Sequence, residues 1–234
     1  MTTDLATTGN VTVPEGTAPM HVYFILDRSG SMQGNEADVI GGFNTFIDTL
    51  KTKGSLPPCR VSVTRFDTEI ETFWNDLALA DVPTMTVRDF VPRGSTALMD
   101  AVGKTLADVP TEAGHRYLVI IHTDGFENAS REWTREKVRT LIQGLTDKGN
   151  WTFAFYGADQ DAWANAEQYG FTQGQTMSYA SADSASTYAA SSRVGAMMMA
   201  APAASSGNFG RATKAVQDKP EITDEEIRRI LEGK

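Results

Sequence analysis

Two continuous apolar runs stand out in the chain, and each is followed at once by polar residues. The first run covers residues 22–26 and the second covers residues 117–121. Neither run shows the alternation of a half-buried strand, and continuous apolar runs are typical of strands that are covered on both faces. We therefore predict two buried strands, which end at the acidic residues Asp27 and Asp124.

The segments around these runs alternate between helical and strand periodicity. Residues 35–53 carry apolar side chains at helical spacing, whereas residues 59–66 and 70–74 are typical of a hairpin whose second arm lies at a sheet edge. The pattern further predicts helices at 97–109, 130–145, 162–169 and 182–201, strands at 151–156 and 175–179, and a loop at 76–92. This alternation indicates an α/β fold, a doubly wound, mostly parallel sheet with one antiparallel edge strand.

Single residues refine the helix predictions. Ser130 is placed to cap the helix that follows it. Gly41 and Gly42 are costly inside a helix, so we expect them to permit close approach to a neighbouring strand.

The chain is predicted to divide into three parts. Residues 1–19 form a flexible segment rich in Thr, Gly and Pro, and residues 20–205 form the main domain. Residues 206–234 are expected to hold a polar linker and a short amphipathic helix. Thr223 and Glu226 have capping-box spacing at the start of that helix.

Composition excludes several classes of protein. The 234 residues include 21 basic and 30 acidic side chains, and the net charge of −9 argues against nucleic acid or an anionic membrane surface as a partner. The first residues do not have the basic start and apolar core of a signal peptide, and no apolar run is long enough to span a membrane. We therefore expect a soluble, cytoplasmic protein. Its single cysteine, Cys59, excludes an internal disulfide and is expected to be a buried hydrophobe.

The polar ends of the two apolar runs carry the candidate chemistry. Open α/β folds bind ligands at the carboxyl edge of the sheet, where both runs would end. Asp27 offers a carboxylate there, and Ser29 and Ser31 offer hydroxyl oxygens from a tight turn. Asp124 ends the second run, and Thr96 lies in a loop before a helix. Carboxylate and hydroxyl oxygens together suit a hard cation that keeps some of its waters, closer to Mg²⁺ than to Zn²⁺.

These residues lie in three short motifs that resemble a known family. The motifs are Asp-x-Ser-x-Ser at 27–31, Gly-Ser-Thr-Ala-Leu at 94–98 and Thr-Asp-Gly-Phe-Glu-Asn at 123–128. In this order and context they resemble the von Willebrand factor A domain, which has a Rossmann-like fold, over roughly residues 22–179. In that family the matching positions form a metal-ion-dependent adhesion site. The surrounding residues are most similar to cytoplasmic bacterial and phage-borne members.

The resemblance implies a role for each of the matching residues. Ser29 and Ser31 would bind the metal directly, and Asp27, Thr96 and Asp124 would bind it directly or through water. The cofactor is expected to be Mg²⁺, or else Mn²⁺ or Ca²⁺. With few anionic ligands, the cation keeps net positive charge and an open coordination position, which an Asp or Glu of a protein partner can fill.

We therefore predict a divalent-cation-dependent protein-binding module rather than an enzyme. The expected partner is a protein that supplies an acidic residue. Some members of the family work beside AAA+ ATPases, so the resemblance implies such an ATPase as one candidate partner.

Alternative functions remain open at this point. Asp27 would be the nucleophile of a magnesium-dependent phosphohydrolase, but those enzymes use Asp-x-Asp, and Ser29 here cannot replace the second acid as a proton donor. In metal-mediated self-assembly, the acidic tail around Asp224 would fill the site of another copy. A phosphate loop at 103–105 is rejected because Leu98 replaces its first glycine.

The other polar residues near these motifs are predicted to be structural or peripheral. One histidine without a second at ligand spacing is a poor zinc site, so a structural role is predicted for His21, His115 and His122. Arg28 is expected to point to solvent or to the partner's acid. Glu127 and Asn128 would shape the rim of the site.

Overall fold

A computed structural model describes residues 18–52, 56–124, 126–158, 166–171, 175–179, 184–200 and 208–234. The strands are β1 (Met20–Asp27), β2 (Cys59–Phe66), β3 (Ile70–Ala78), β4 (Arg116–Thr123), β5 (Trp151–Ala158) and β6 (Thr176–Tyr179). The helices are α1 (Glu36–Thr52), α2 (Leu98–Leu106), α3 (Arg135–Thr146), α4 (Ser184–Ala200), α5 (Phe209–Asp218) and α6 (Asp224–Leu231). Short 3₁₀ turns lie at Gly30–Met32 and Leu79–Asp81.

The strands form one sheet in the order β3-β2-β1-β4-β5-β6. All neighbouring pairs are parallel except β2 with β3, which pair antiparallel at the edge. This confirms the predicted fold class, including the hairpin and its edge arm. In the register, Asp27 lies opposite Phe66 and Leu26 lies opposite His122. The ends of β1 and β4 therefore meet at the same edge of the sheet.

Helices cover both faces of the sheet, and β1 contributes side chains to both layers. Phe24 and Leu26 pack in the layer that contains α1, α4, α5 and α6. Ile25 packs in the opposite layer, with α2 and α3. Burial on both faces explains why the run is continuously apolar instead of alternating. Among the described residues, none of the helices combines the length and apolar character needed to cross a membrane.

The C-terminal part differs from the linker that its sequence suggested. Helix α5 occupies this region, and Phe209, Ala212 and Val216 are buried in the core beside α4 and α6. Their spacing of three and four residues places them on one face of the helix. Gly210 and Ala212 contribute little apolar side chain to this face, so the sequence of the segment is typical of a polar linker. Residues 1–17 of the predicted terminal segment, 201–205 of the predicted main domain and 206–207 of the predicted linker lie outside the described residues.

The predicted cap of the helix after β4 needs correction. Thr134, not Ser130, caps α3, since its hydroxyl accepts a hydrogen bond from the Lys137 N–H at 3.3 Å. Ser130 instead accepts a bond from the Asp100 N–H. Of the helix predicted at 162–169, residues 162–165 lie outside the described part.

The paired glycines of α1 have different surroundings, and neither approaches a strand as predicted. Gly42 faces the ring of Tyr188 on α4, and a Cβ atom built on Gly42 would overlap that ring. A Cβ atom on Gly41 would meet no atom within 4 Å. Gly42 therefore permits close packing of two helices, whereas nothing in the packing requires a glycine at position 41.

We expect Gly42→Ala to lower the free energy of unfolding by about 1–3 kcal/mol, because the added methyl group overpacks the contact with Tyr188. Gly41→Ala is the matched control on the same helix. It should be neutral or raise the free energy of unfolding by up to about 1 kcal/mol, since alanine is the better helix former. Urea denaturation measures both variants, and equal stabilities would contradict this account of α1.

Candidate metal centre

The turn after β1 is built around the buried carboxylate of Asp27. Its Oδ1 accepts a hydrogen bond from the Ser29 N–H at 2.7 Å, and its Oδ2 accepts one from the Thr123 hydroxyl at 2.5 Å. Asp27 is 0% exposed. The carboxylate thus joins the ends of two neighbouring strands.

Hydrogen bonds continue outward from this carboxylate to the surface. The hydroxyl oxygens of Ser29 and Ser31 lie 3.0 Å apart, and the Ser31 hydroxyl donates to Asp124 Oδ1 at 2.7 Å. Asn35 donates to the other oxygen of Asp124 at 3.2 Å. The structure therefore brings together four of the predicted site residues: Asp27, Ser29, Ser31 and Asp124.

Thr96, the fifth predicted site residue, lies in the adjoining loop before α2. That loop contacts the serine turn through a hydrogen bond from the Gly30 N–H to the Gly94 carbonyl at 3.1 Å. The Thr96 N–H donates to Asn128 Oδ1 at 2.9 Å, and its carbonyl accepts from the Asn128 N–H at 3.0 Å. Thr96 is buried between the loops that follow β1 and β4. Asn128, which was expected at the rim of the site, fixes the Thr96 backbone.

The electrostatics of this edge favour a bound cation. Burial raises the pKa of the Asp27 carboxyl to about 6, although hydrogen bonds from Thr123 and Ser29 oppose that rise. The nearby charge of Asp124 raises the same pKa further. Two acids and two hydroxyls are oxygen donors, which suit a hard divalent cation, and its charge would relieve the repulsion between the acids. The residues present therefore fit a divalent metal ion.

Arg28 does not point to solvent as predicted. It is buried, and its Nε donates to Asp67 Oδ2 at 2.9 Å. Arg93 donates to the same oxygen at 2.8 Å, so Asp67 links the turn after β1 to the loop that carries Thr96. Asp67 follows β2, far from both partners in sequence, and no local pattern could have marked its role.

Asp100 and Glu127 fix the loop that follows β4, and Asp100 was missed by the sequence analysis. Asp100 accepts three backbone N–H bonds, from residues 131, 132 and 133, at 2.7–3.0 Å. Glu127 accepts the Met99 N–H at 2.9 Å at the start of α2. An acid in the first turn of a helix is a common helix-start signal, so Asp100 gave no sign of this longer-range contact.

Among known proteins, only solved structures match this chain, and the similarity is one of fold. No protein-family model matches the chain, and no curated protein is significantly similar to it. The von Willebrand factor domain of the type V pili tip protein Mfa5 from Porphyromonas gingivalis matches with a TM-score of 0.59 and 12% identity, over 78% of this chain and 97% of that one. The chain has the fold of a von Willebrand factor A domain.

Two further solved structures agree with this. A von Willebrand factor type A structure from Catenulispora acidiphila matches with a TM-score of 0.55 and 17% identity, over 78% of this chain and 43% of that one. Proximal thread matrix protein 1 from the mussel byssus, with a zinc-occupied metal-ion-dependent adhesion motif, matches with a TM-score of 0.53 and 14% identity. The match covers 74% of this chain and 47% of that one, so this chain spans less than half of the byssus protein.

We expect Asp100→Asn to lower the free energy of unfolding by about 1–3 kcal/mol near neutral pH. The substitution replaces one hydrogen-bonded oxygen by an NH₂ group, which cannot accept a hydrogen bond from a backbone N–H. Burial alone would raise the pKa of Asp100, but the backbone N–H groups of Arg131, Trp133 and Glu132 outweigh it and hold that pKa below 3.8. The contribution of the charge is therefore present above about pH 4 and lost as the pH falls through the lower native pKa.

Urea denaturation across acidic pH measures this effect. The wild type should lose stability more steeply than Asp100→Asn as the pH falls below about 4. Asp48→Asn, an exposed change on α1, is the control and should alter the free energy of unfolding by less than about 0.5 kcal/mol. Identical acid profiles for wild type and Asp100→Asn would reject the role given to Asp100.

Proposed function

We propose that the chain is a divalent-cation-dependent protein-binding module. The observation that carries this proposal is the hydrogen-bonded series from Asp27 through Ser29 and Ser31 to Asp124 at the carboxyl edge of the sheet. Asp27 is fully buried, whereas Ser31 is exposed and Asp124 is half-buried, so the outer part of the series is open to a partner.

Each residue of the site has a distinct part in this proposal. Ser29 and Ser31 bind the cation through their hydroxyls, and Asp27, Thr96 and Asp124 bind it directly or through water. Mg²⁺ is the expected ion, with Mn²⁺ or Ca²⁺ as substitutes, because every donor is an oxygen. A bound cation would supply an open coordination position for a carboxylate.

The partner is proposed to be a protein that presents an Asp or Glu side chain. Phe126 is two residues from Asp124 and 66% exposed, so it offers apolar contact beside the site. Arg93 is half exposed on the adjoining loop and carries positive charge, although it is shared with Asp67 and Glu69. An acidic side chain flanked by apolar residues would match these features. An AAA+ ATPase is one candidate, on the family resemblance alone.

The phosphohydrolase alternative is less well supported. Both oxygens of Asp27 accept hydrogen bonds from the chain, and the side chain is fully buried, so neither oxygen is presented for attack on a phosphorus atom. Magnesium-dependent hydrolysis of para-nitrophenyl phosphate that Asp27→Asn abolishes would favour the enzyme instead.

Self-assembly through the C-terminal acids is also less well supported. Asp224 pairs with Arg193 at 2.7 Å, and Glu226 closes the capping box with Thr223. Glu225 lies 3.3 Å from Arg229. These acids are engaged within their own chain, and release to a second copy would cost those contacts.

Isothermal titration calorimetry with Mg²⁺ and Mn²⁺ tests the proposed site. We expect binding heats for the wild type that are lost in the double variant Ser29→Ala/Ser31→Ala and at least about tenfold weaker binding in Thr96→Ala, because each change removes an oxygen ligand.

Ser95→Ala is the matched control for these variants. Ser95 is exposed and adjacent to Thr96, and it has no assigned part in the site, so this variant should bind as the wild type does. Equal heats for the wild type and the double serine variant would reject the proposed metal site.

A further inference from the structure

A second cluster of ligand-type side chains lies at the opposite end of the sheet from the candidate metal centre. His21 is near the start of β1, and His115 immediately precedes β4. The two strands are neighbours, with His21 opposite Tyr117. Residues that are 94 positions apart in sequence therefore meet at the amino-terminal edge.

The cluster consists of His21, Glu112 and His115. The Nε2 of His21 lies 3.0 Å from the Nδ1 of His115, and the Nε2 of His115 lies 3.5 Å from a carboxylate oxygen of Glu112. A turn closed by a 3.2 Å hydrogen bond from the His115 N–H to the Glu112 carbonyl holds the last two residues together. One ligand atom from each residue lies within 4.8 Å of the others.

An acid on β3 faces the other nitrogen of His21. Asp76 Oδ1 lies 3.9 Å from His21 Nδ1. Asp76 has φ of +53°, which non-glycine residues rarely adopt, and it lies beside an irregularity in the pairing of β2 with β3. Bulges and strained residues of this kind commonly redirect a side chain toward a functional site. Arg60 holds the Asp76 carboxylate at 2.5 Å.

A cavity of about 340 Å³ adjoins the cluster and is lined by His21, Asp76 and Glu112 among others. His21 and His115 are partly exposed, with 14% and 26% of their side chains accessible, so an ion can reach both rings from solvent. Burial and the neighbouring His115 lower the pKa of His21. A lower pKa favours the neutral imidazole, which is the form that binds metals.

We propose that His21, Glu112 and His115 bind a transition-metal cation of the zinc class. Two imidazoles and one carboxylate are a zinc-type donor set, whereas the oxygen donors at the other edge suit Mg²⁺. A carboxylate behind a ligating imidazole orients the ring, and Asp76, 3.9 Å from the other nitrogen of His21, would do so once the ring moves within hydrogen-bond distance. This site does not depend on the function proposed for the other edge.

The two histidine nitrogens already lie at nearly the separation of a bound site. Ligand atoms at about 2.05 Å from a tetrahedral zinc ion are about 3.3 Å apart. The distance of 3.0 Å from His21 Nε2 to His115 Nδ1 differs from that value by a few tenths of an ångström. The 3.5 Å contact of Glu112 is with the other nitrogen of His115, and the three ligand atoms lie within 4.8 Å of one another. Side-chain rotation would therefore have to bring Glu112 closer to the two histidine nitrogens, and a cation would replace the hydrogen bond between the rings. The fourth ligand would be water.

Equilibrium dialysis of the full chain against Zn²⁺ tests this site, with metal counting near neutral pH. The measurement uses the Ser29→Ala/Ser31→Ala background, so that zinc bound at the other edge does not contribute. We expect about one zinc ion per chain in that background and at least about tenfold weaker binding after His115→Gln or Glu112→Gln is added. Glu167→Gln, an exposed change elsewhere, is the control and should leave the zinc count unchanged.

Co²⁺ provides a second readout that a purely structural role would not produce. We expect the strong visible absorption of a tetrahedral cobalt site in the Ser29→Ala/Ser31→Ala background, and its loss when His115→Gln is added. Asp76→Asn, which tolerates the same backbone angle, should weaken zinc binding by about 10–100-fold if Asp76 orients His21. Absence of zinc binding in this background, or a zinc count unchanged by His115→Gln in a variant with native circular dichroism, would overturn the proposal.

Discussion

The structure around the candidate metal centre depends on one buried carboxylate. Asp27 lies at the end of β1 between two neighbouring strands, and a charge in that position is costly unless other groups compensate it. The Ser29 N–H and the Thr123 hydroxyl compensate part of the charge. Burial still raises the pKa of Asp27 to about 6, so the compensation is incomplete. A cation among Ser29, Ser31 and Asp124 would supply the remainder, and this supports the proposal that the edge binds one.

The loops that surround Asp27 are held by other carboxylates. Asp67 accepts hydrogen bonds from Arg28 and Arg93, which lie in two different loops. Asp100 accepts hydrogen bonds from three backbone N–H groups of the loop after β4. Glu127, in the same loop, accepts a hydrogen bond from the Met99 N–H at the start of α2. Loops fixed in this way lose little conformational entropy when a partner binds, so more of the contact energy appears as affinity. The proposed binding surface would thus be held in place by residues that do not themselves touch the metal.

The sequence predicted the features that depend on local pattern. The apolar runs, the hairpin and the helices follow from periodicity, and the convergence of Asp27 with Asp124 follows from parallel strands that end at one edge. Contacts of loop residues with groups distant in sequence do not follow from strand order and were not predicted, which explains the wrong orientation of Arg28 and the missed role of Asp100. Helix α5 was missed because only Phe209 and Val216 of its five buried residues are strongly apolar. The cluster of His21 with His115 was missed for the same reason as Asp100, since only the pairing of β1 with β4 brings these residues together.

The central claim is that the side chains at the carboxyl edge converge on one divalent cation. Anomalous diffraction from crystals of the full chain soaked with Mn²⁺ tests it most directly. A single strong peak in contact with the hydroxyls of Ser29 and Ser31, and bordered by Asp27, Thr96 and Asp124, is the expected result. An ordered site with no anomalous peak at these residues, at saturating Mn²⁺, would contradict the claim.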